Sequence, residues 1–189
     1  MAVVVLALVA STAGVVPSTP AAAQSEPQAT SGSRFTPVSP VRLLDTRSEL
    51  GGPAALVTPW SPARLQVAGV SGVPISGVTS VVLNVTATGS DGPGFVTVHP
   101  SGQDRPTVSN VNFGVGEVIP NQVIVPLGAD GSLVFASPVT SVHVVADLVG
   151  WYGPSAQHRF NSMTPTRLLD TRSGIGGRTT PLVGGTPHR

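Results

Sequence analysis

The sequence contains no cysteine and no lysine, and charged residues make up only 10% of its 189 residues. Without cysteine, the chain can form no disulfide, no thiol nucleophile and no cysteine-ligated metal site. The ten basic residues are all arginine and the formal net charge is +1, which predicts no binding to nucleic acid or to an anionic membrane. Aromatic residues are rare as well, at 4%. The fold must therefore be stabilised by an aliphatic core of sufficient size.

Helical periodicity is also lacking, since 22 glycines and 19 prolines interrupt the chain too often for long helices. Residues 81–88 and 142–149 instead alternate between inward apolar and outward positions, as half-buried strands do. Hairpin turns are predicted at the Asp-Gly pairs of 91–94 and 129–132. Shorter strands are predicted at Arg42–Arg47, Leu65–Val70, Phe95–His99, Val108–Phe113, Gln122–Leu127 and Leu133–Ala136. We expect an all-β fold, a β-sandwich or flattened barrel of about eight short strands.

The N-terminus resembles an export signal. Residues 2–16 form a largely apolar run that is shorter than the ~20 residues needed to span a bilayer, and three alanines precede Gln24. We expect a signal peptide at 1–23 and a disordered linker at 24–33, and hence a secreted, extracellular, cell-wall-associated protein with no membrane contact after cleavage. No basic residue precedes the run, so either the true start lies upstream or the chain is a fragment. The alternative for the run is a buried helix of the domain.

An internal repeat organises the rest of the chain. The segment Arg34–Ser48 recurs as Arg159–Ser173, 125 positions later, and a glycine pair follows both copies at the same spacing. We expect one complete β repeat unit at 34–158 and the start of a second, truncated repeat unit at 159–189, or an end that docks back onto the first unit. A period this long is typical of tandem domains, because solenoid repeats span only about 20–50 residues.

Five segments of the unit form a recognisable combination. They are 42–47 (Arg-Leu-Leu-Asp-Thr-Arg), 82–87 (Val-Leu-Asn-Val-Thr-Ala), 94–102, 109–113 and 144–152 (Val-Val-Ala-Asp-Leu-Val-Gly-Trp-Tyr). Together they resemble a repeat domain of secreted and cell-surface proteins of actinobacteria. Such repeats occur in tandem and beside extracellular peptidase or cell-wall hydrolase domains. The repeat has no established activity, so the resemblance implies an accessory surface role with neighbouring repeat units as partners, and supplies no catalytic residue.

The Leu-Leu-Asp-Thr-Arg motif has two interpretations. It is similar to the sequence around the catalytic aspartate of aspartic proteases. On this interpretation, Asp45 and Asp170 of this chain would share a proton. Arg47 disfavours this reading, because an adjacent guanidinium keeps an aspartate ionised. We favour a buried structural cluster that joins the first and last strands of the unit, formed by Arg42, Asp45, Arg47 and Asp147. Asp45 and Arg47 are expected to share one face of a strand.

Trp60, Asn84, Asn110 and Asn112 are the candidate ligand-binding residues. Trp60 lies in a proline-rich loop, where an exposed indole can stack on a sugar ring. Amides on a sheet face can bind sugar hydroxyls, although they can equally satisfy backbone groups at turns. Trp151 is expected to pack at the junction between units. The four histidines are scattered, and no catalytic set, metal site or cofactor is predicted.

The sequence leaves three functions in order of preference. The first is a noncatalytic extracellular module for attachment to, or display at, the cell envelope, with cell-wall polysaccharide or peptidoglycan as the favoured ligand class. The second is a purely structural spacer beside a secreted hydrolase. The third is an aspartic-protease-like enzyme, which Arg47 disfavours, so we expect the protein not to be an enzyme.

Overall fold

The computed structural model describes residues 33–159, 164 and 166–183. The predicted signal peptide at 1–23 and all of the predicted linker except its last residue lie outside the described residues. Within the described part of the chain, no helix is long and apolar enough to cross a membrane. These residues cover the first predicted unit and part of the second.

Eight β-strands form the described fold. Their bounds are β1 Arg34–Asp45, β2 Ala63–Gln66, β3 Ser80–Thr88, β4 Gly94–Pro100, β5 Val111–Phe113, β6 Ile119–Pro126, β7 Ser132–Ala136 and β8 His143–Gly153. They make two four-stranded antiparallel sheets, with the orders β1-β8-β3-β6 and β2-β7-β4-β5. This arrangement confirms the expectation of an all-β sandwich, and the sheets do not close into a barrel. We call them the first and the second sheet.

The core lies between the two sheets and is almost entirely aliphatic. The alternating positions of β3 and of the chain through β8 are buried: Val81, Leu83, Val85, Ala87, Val142, Val144, Ala146 and Leu148. From the second sheet, Leu133 and Phe135 of β7 point into the same core with no exposed surface. Burying each large side chain of this kind contributes roughly 1.5–3 kcal/mol, so the period-2 pattern selects which face of each strand points inward.

Strand β1 differs most from the sequence-based expectation. It begins at Arg34, eight residues before the predicted start at Arg42, and it contains Pro37 and Pro40. Prolines are tolerated because β1 is an edge strand, bonded only to β8 within the sheet, and its register shifts between Pro37 and Val41. The strand also ends at Asp45, where a turn begins. Pro37 and Pro40 therefore argued against a strand in the sequence, although an edge strand can contain them.

Two other predicted strands are shorter than expected. The prediction at Leu65–Val70 is wrong beyond Gln66, because Gly69 and Ser71 adopt left-handed backbone conformations with φ of 82° and 49°. The prediction at Val108–Phe113 is wrong before Val111, where residues 101–110 form a loop instead. In both cases, part of the predicted strand, residues 67–70 and 108–110, belongs to a loop.

We predict that Gly51→Ala destabilises the sandwich much more than Gly116→Ala. Both glycines have positive φ, of 75° and 65°. A Cβ on Gly51 would lie 2.0 Å from the carbonyl oxygen of Leu43, whereas a Cβ on Gly116 would meet nothing within 4 Å. Backbone strain alone costs about 1–2 kcal/mol, so Gly116→Ala should lose that amount and Gly51→Ala at least about 3 kcal/mol in urea unfolding. Equal losses would contradict the close approach of these two segments.

Candidate functional site

The four residues of the predicted polar cluster lie together where β1 meets β8. Arg42 and Asp147 are opposite one another in the ladder, and Nε of Arg42 donates to Oδ1 of Asp147 at 2.8 Å. Nη1 of Arg42 also reaches Oδ2 of Asp45 at 3.4 Å. One guanidinium therefore links a carboxylate on the last strand to the carboxylate that ends the first.

Arg47 reaches Asp45 by a route that the sequence analysis did not foresee. The expected shared strand face is wrong, because β1 ends at Asp45 and residues 46–49 form a turn. The turn brings the backbone N–H of Arg47 to Oδ1 of Asp45 at 3.1 Å, while Nε and Nη2 of Arg47 donate to Oδ1 and Oδ2 at 2.8 and 2.6 Å. This is a bidentate pair closed over a tight turn.

The burial of the cluster is uneven, and this corrects the expectation of a fully buried one. The side chains of Asp45 and Asp147 are 10% and 21% exposed, but those of Arg42 and Arg47 are 45% and 50% exposed. The hydrogen bonds from the Arg47 side chain hold the pKa of Asp45 well below its usual range. A carboxylate held ionised in this way is poorly suited to the proton sharing that an aspartic protease requires.

The second copy of the motif builds the same turn. Oδ1 of Asp170 accepts from the backbone N–H and from Nε of Arg172, both at 3.0 Å, and Oδ2 accepts from Nη1 of Arg167 at 2.9 Å. Yet Leu168 and Leu169 are 79% and 55% exposed, whereas the corresponding Leu43 and Leu44 are buried. The turn therefore forms from local sequence, without the strand pairing that buries the leucines.

A separate concave site lies on the outer face of the second sheet. Because Leu133 and Phe135 point into the core, Val134 and Ala136 face outward and form its floor together with His99 of β4. The remaining lining residues are Thr58, Pro59, Trp60, Pro62, Arg105, Ser137 and Pro138. We call this site the Trp60 cleft. Its volume of about 470 Å³ lies within the range of small-molecule and cofactor pockets.

The loop that carries Trp60 is a tight turn. Oγ1 of Thr58 accepts from the backbone N–H groups of Trp60 and Ser61 at 3.3 and 3.0 Å, and the backbones of Thr58 and Ser61 bond each other. Two backbone bonds between Val57 and Val142 attach the turn to the start of β8. Trp60 stands at the tip and is 93% exposed. A large apolar side chain is thus held in water on a rigid support.

The opposite wall of the cleft belongs to the loop between β4 and β5. Oγ1 of Thr97 donates to the carbonyl of Val108 at 2.6 Å, and Oδ1 of Asn110 accepts from the backbone N–H of Val98 at 2.7 Å. At its other end, Ser101 donates to Asp130, and donation by Ser101 and Ser132 lowers the pKa of Asp130 to about 2. These bonds fold residues 101–110 over the sheet and place Arg105 at the cleft.

His99 supplies the polar group in the floor. Its Nδ1 lies 3.0 Å from the carbonyl oxygen of Pro100, which can only accept, so Nδ1 carries the proton in that bond. No other described residue hydrogen bonds the ring, and Nε2 is therefore left to the cleft as an acceptor in the neutral imidazole.

The four candidate ligand-binding residues are dispersed over the sandwich. Trp60 lies in the cleft, and Asn112 lines a neighbouring depression that also contains Arg105. Asn110 is occupied as a backbone acceptor. Asn84 lies in the first sheet, opposite Asp147 in the ladder, and so cannot act with Trp60.

The position of Trp151 and the presence of His99 and Arg105 in the cleft were not predicted from the sequence. Trp151 packs in the hydrophobic core and not at a junction between units, since β8 extends past it to Gly153. Its indole N–H is buried and has no hydrogen-bond partner among the described residues. His99 and Arg105 were not selected as cleft residues, because nothing in their local sequence distinguishes them and only the fold brings them to Trp60.

Comparison with known proteins adds no assignment. No family model matches the chain, and no curated protein matches it. Within residues 33–159, 164 and 166–183, no group of three or more His, Asp or Glu side chains could hold a metal ion.

We predict that Asp45→Asn destabilises the sandwich by about 1–3 kcal/mol at pH 7, because it leaves the Arg47 pair without its charge. Since the folded-state pKa of Asp45 is lowered, its contribution is complete above the unfolded value of about 3.9 and is lost as the pH falls towards the folded pKa. The difference from wild type, measured by urea unfolding, should therefore shrink below pH 4.

Asp170→Asn is the matched control for this substitution. Its side chain bonds Arg167 and Arg172, which lie outside the eight strands, so the unfolding of the sandwich should stay unchanged. Equal losses in the two variants would show that the contact of Asp45 with the β1–β8 junction contributes nothing.

Proposed function

We propose that this chain is a noncatalytic module of the cell envelope that binds carbohydrate through the Trp60 cleft. The observation that carries the proposal is the 93% exposed indole of Trp60, held on a bonded turn beside a concave surface. Sugar rings present C–H faces that pack on aromatic surfaces and hydroxyls that require hydrogen-bond partners. The cleft offers both kinds of contact.

The chemistry of the cleft supports a ligand that is partly apolar and partly hydroxylated. Val134, Ala136 and the proline rings provide apolar area, while Nε2 of His99 and the guanidinium of Arg105 are available for polar contacts. Pro59, Pro62 and Pro138 restrict the backbone of the walls, which reduces the ordering cost of binding. Such a surface favours recognition and offers no assembled nucleophile and base.

The cellular setting of the proposal comes from the sequence. A signal peptide, a polar linker and tandem β units would place such modules outside the cell, where wall polysaccharide or peptidoglycan is available. The resemblance to repeats of actinobacterial secreted proteins agrees with this setting. Repetition would add avidity, because each unit could present its own cleft.

A structural spacer is the second candidate function. It is favoured by the arginine–carboxylate contacts at the β1–β8 junction, in which both Asp45 and Asp147 are engaged by arginines. Those residues are engaged in holding two strands together, and both oxygens of Asp45 already accept two hydrogen bonds each. A spacer would present the Trp60 cleft but bind nothing in it.

We predict that Trp60→Ala weakens binding to an immobilised wall polysaccharide or peptidoglycan about tenfold while leaving stability within about 0.5 kcal/mol of wild type. The measurement is retention of the purified chain on a panel of insoluble wall fractions and neutral glucans, with urea unfolding in parallel. Affinity should fall because the indole supplies the stacking surface.

Val115→Ala is the matched control, since Val115 is 67% exposed in a turn outside the cleft. It should leave retention unchanged. Failure of the wild-type chain to bind any member of the panel would overturn the proposal and favour the spacer.

A further inference from the structure

We infer that the ligand of the Trp60 cleft is an anionic glycan, whose carboxylate or phosphate groups bind Arg105. The inference rests on the proposed function and adds the charge class of the ligand and the residue that selects it. Four observations support it: the unpaired state of Arg105, its position between two depressions, the lack of acidic groups in their walls, and the flanking contacts available to a chain.

Arg105 differs from most arginines of the described chain in its partners. Acidic side chains within the described residues form ion pairs with five arginines: Arg42, Arg47, Arg64, Arg167 and Arg172. Arg105 forms neither an ion pair nor a hydrogen bond with any described residue. Its guanidinium therefore has all of its N–H groups available to an incoming anion, which it can bind in a bidentate manner.

Arg105 lies between two depressions and lines both of them. It lines the Trp60 cleft, and it also lines the neighbouring depression of about 400 Å³ that contains Phe95, Thr107 and Asn112. Both depressions lie on the outer face of the second sheet, where Phe95 and Asn112 are opposite one another in the ladder. A polymer could thus contact Trp60 on one side of the guanidinium and Asn112 on the other.

Charge around the two depressions is complementary to an anion. None of the described residues that line either depression is Asp or Glu. Asp104 is adjacent to Arg105 in sequence, but it lines neither depression and forms no ion pair with it. Among the described lining residues, Arg105 carries the only permanent formal charge. A neutral glycan would leave this guanidinium without a counter-charge.

The remaining polar groups suit the rest of a sugar unit. Nε2 of His99 is an acceptor in the neutral ring, which fits a hydroxyl donor. The amide of Asn112 can both donate and accept. Arg105 can only donate hydrogen bonds, and its positive charge distinguishes an acidic sugar from a neutral one.

The test uses one pair of polymers that share a backbone and differ in charge, together with a phosphate polymer that has a different backbone. Polygalacturonate and its fully methyl-esterified form provide a carboxylate pair, and poly(glycerol phosphate) provides a phosphate probe. Binding of the purified chain is measured by affinity electrophoresis and calorimetry at 20 mM and 500 mM salt. We expect at least one anionic polymer to bind about tenfold more tightly than the methyl ester at low salt, with the advantage lost at high salt.

Arg105→Gln removes the charge in an exposed loop where the side chain bonds no described residue, so the variant should fold as the wild type does. It should lose the roughly tenfold preference for anionic polymer and keep its affinity for the ester. Arg34→Gln is the matched control: it removes the same charge from an exposed position at the start of β1, in the other sheet. It should keep the preference.

The outcomes separate the two proposals. A preference that Arg105→Gln abolishes and Arg34→Gln retains supports the inference, and the polymer that binds identifies carboxylate or phosphate. Equal binding of charged and esterified polymers, or equal effects of the two substitutions, overturns the inference while carbohydrate binding stands. Failure to bind these polymers and every fraction of the wall panel overturns the proposed function itself.

Discussion

The pairing of the first strand with the last is the contact on which the rest of this sandwich depends. Antiparallel bonds between β1 and β8 bring residues 100 or more positions apart into one ladder, and Arg42 bonds Asp147 across it. Without this pairing, β8 would be an edge strand and Leu43 and Leu44 would lose their cover. The same pairing brings both ends of the unit to one edge, where His158 already bonds the free side of Phe35. The two ends of the unit therefore lie close together.

The aspartate turn that closes β1 is a local structure used in a tertiary role. Asp170 and Arg172 reproduce the contacts of Asp45 and Arg47, although the leucines before Asp170 are exposed. The carboxylate side chain satisfies the backbone N–H two residues on, and the guanidinium then neutralises it. The contacts of the turn are thus local, and at the first copy strand pairing adds the link from Arg42 to Asp147.

The two outer faces of the sandwich have different chemistry. On the first sheet, polar residues form a cross-strand row of Arg42, Asp147, Asn84 and Gln122, in which the charged members are paired. On the second, two loops rise over the strands and leave the Trp60 cleft between them, with an exposed indole and an unpaired guanidinium on its walls. A stabilising face and the proposed binding face can coexist on one small domain because each sheet needs only one side for the core.

The sequence by itself determined the class of fold but not its connections. The hairpins predicted at 91–94 and 129–132 are wrong, because β3 and β4 lie in different sheets, and so do β6 and β7. Alternation at 81–88 and 142–149 predicts strands because side chains point to opposite faces in turn, and Asp45 with Arg47 predicts a paired motif. Only the tertiary structure decided which strands are neighbours, that Pro37 is tolerated on an edge, and that Trp151 is core. The tertiary structure also brings Trp60, His99 and Arg105 together from a loop, strand β4 and the loop after β4. It places Asn84 in the other sheet. Local patterns report the faces of a strand, whereas partners and clefts depend on contacts between distant residues that no short window contains.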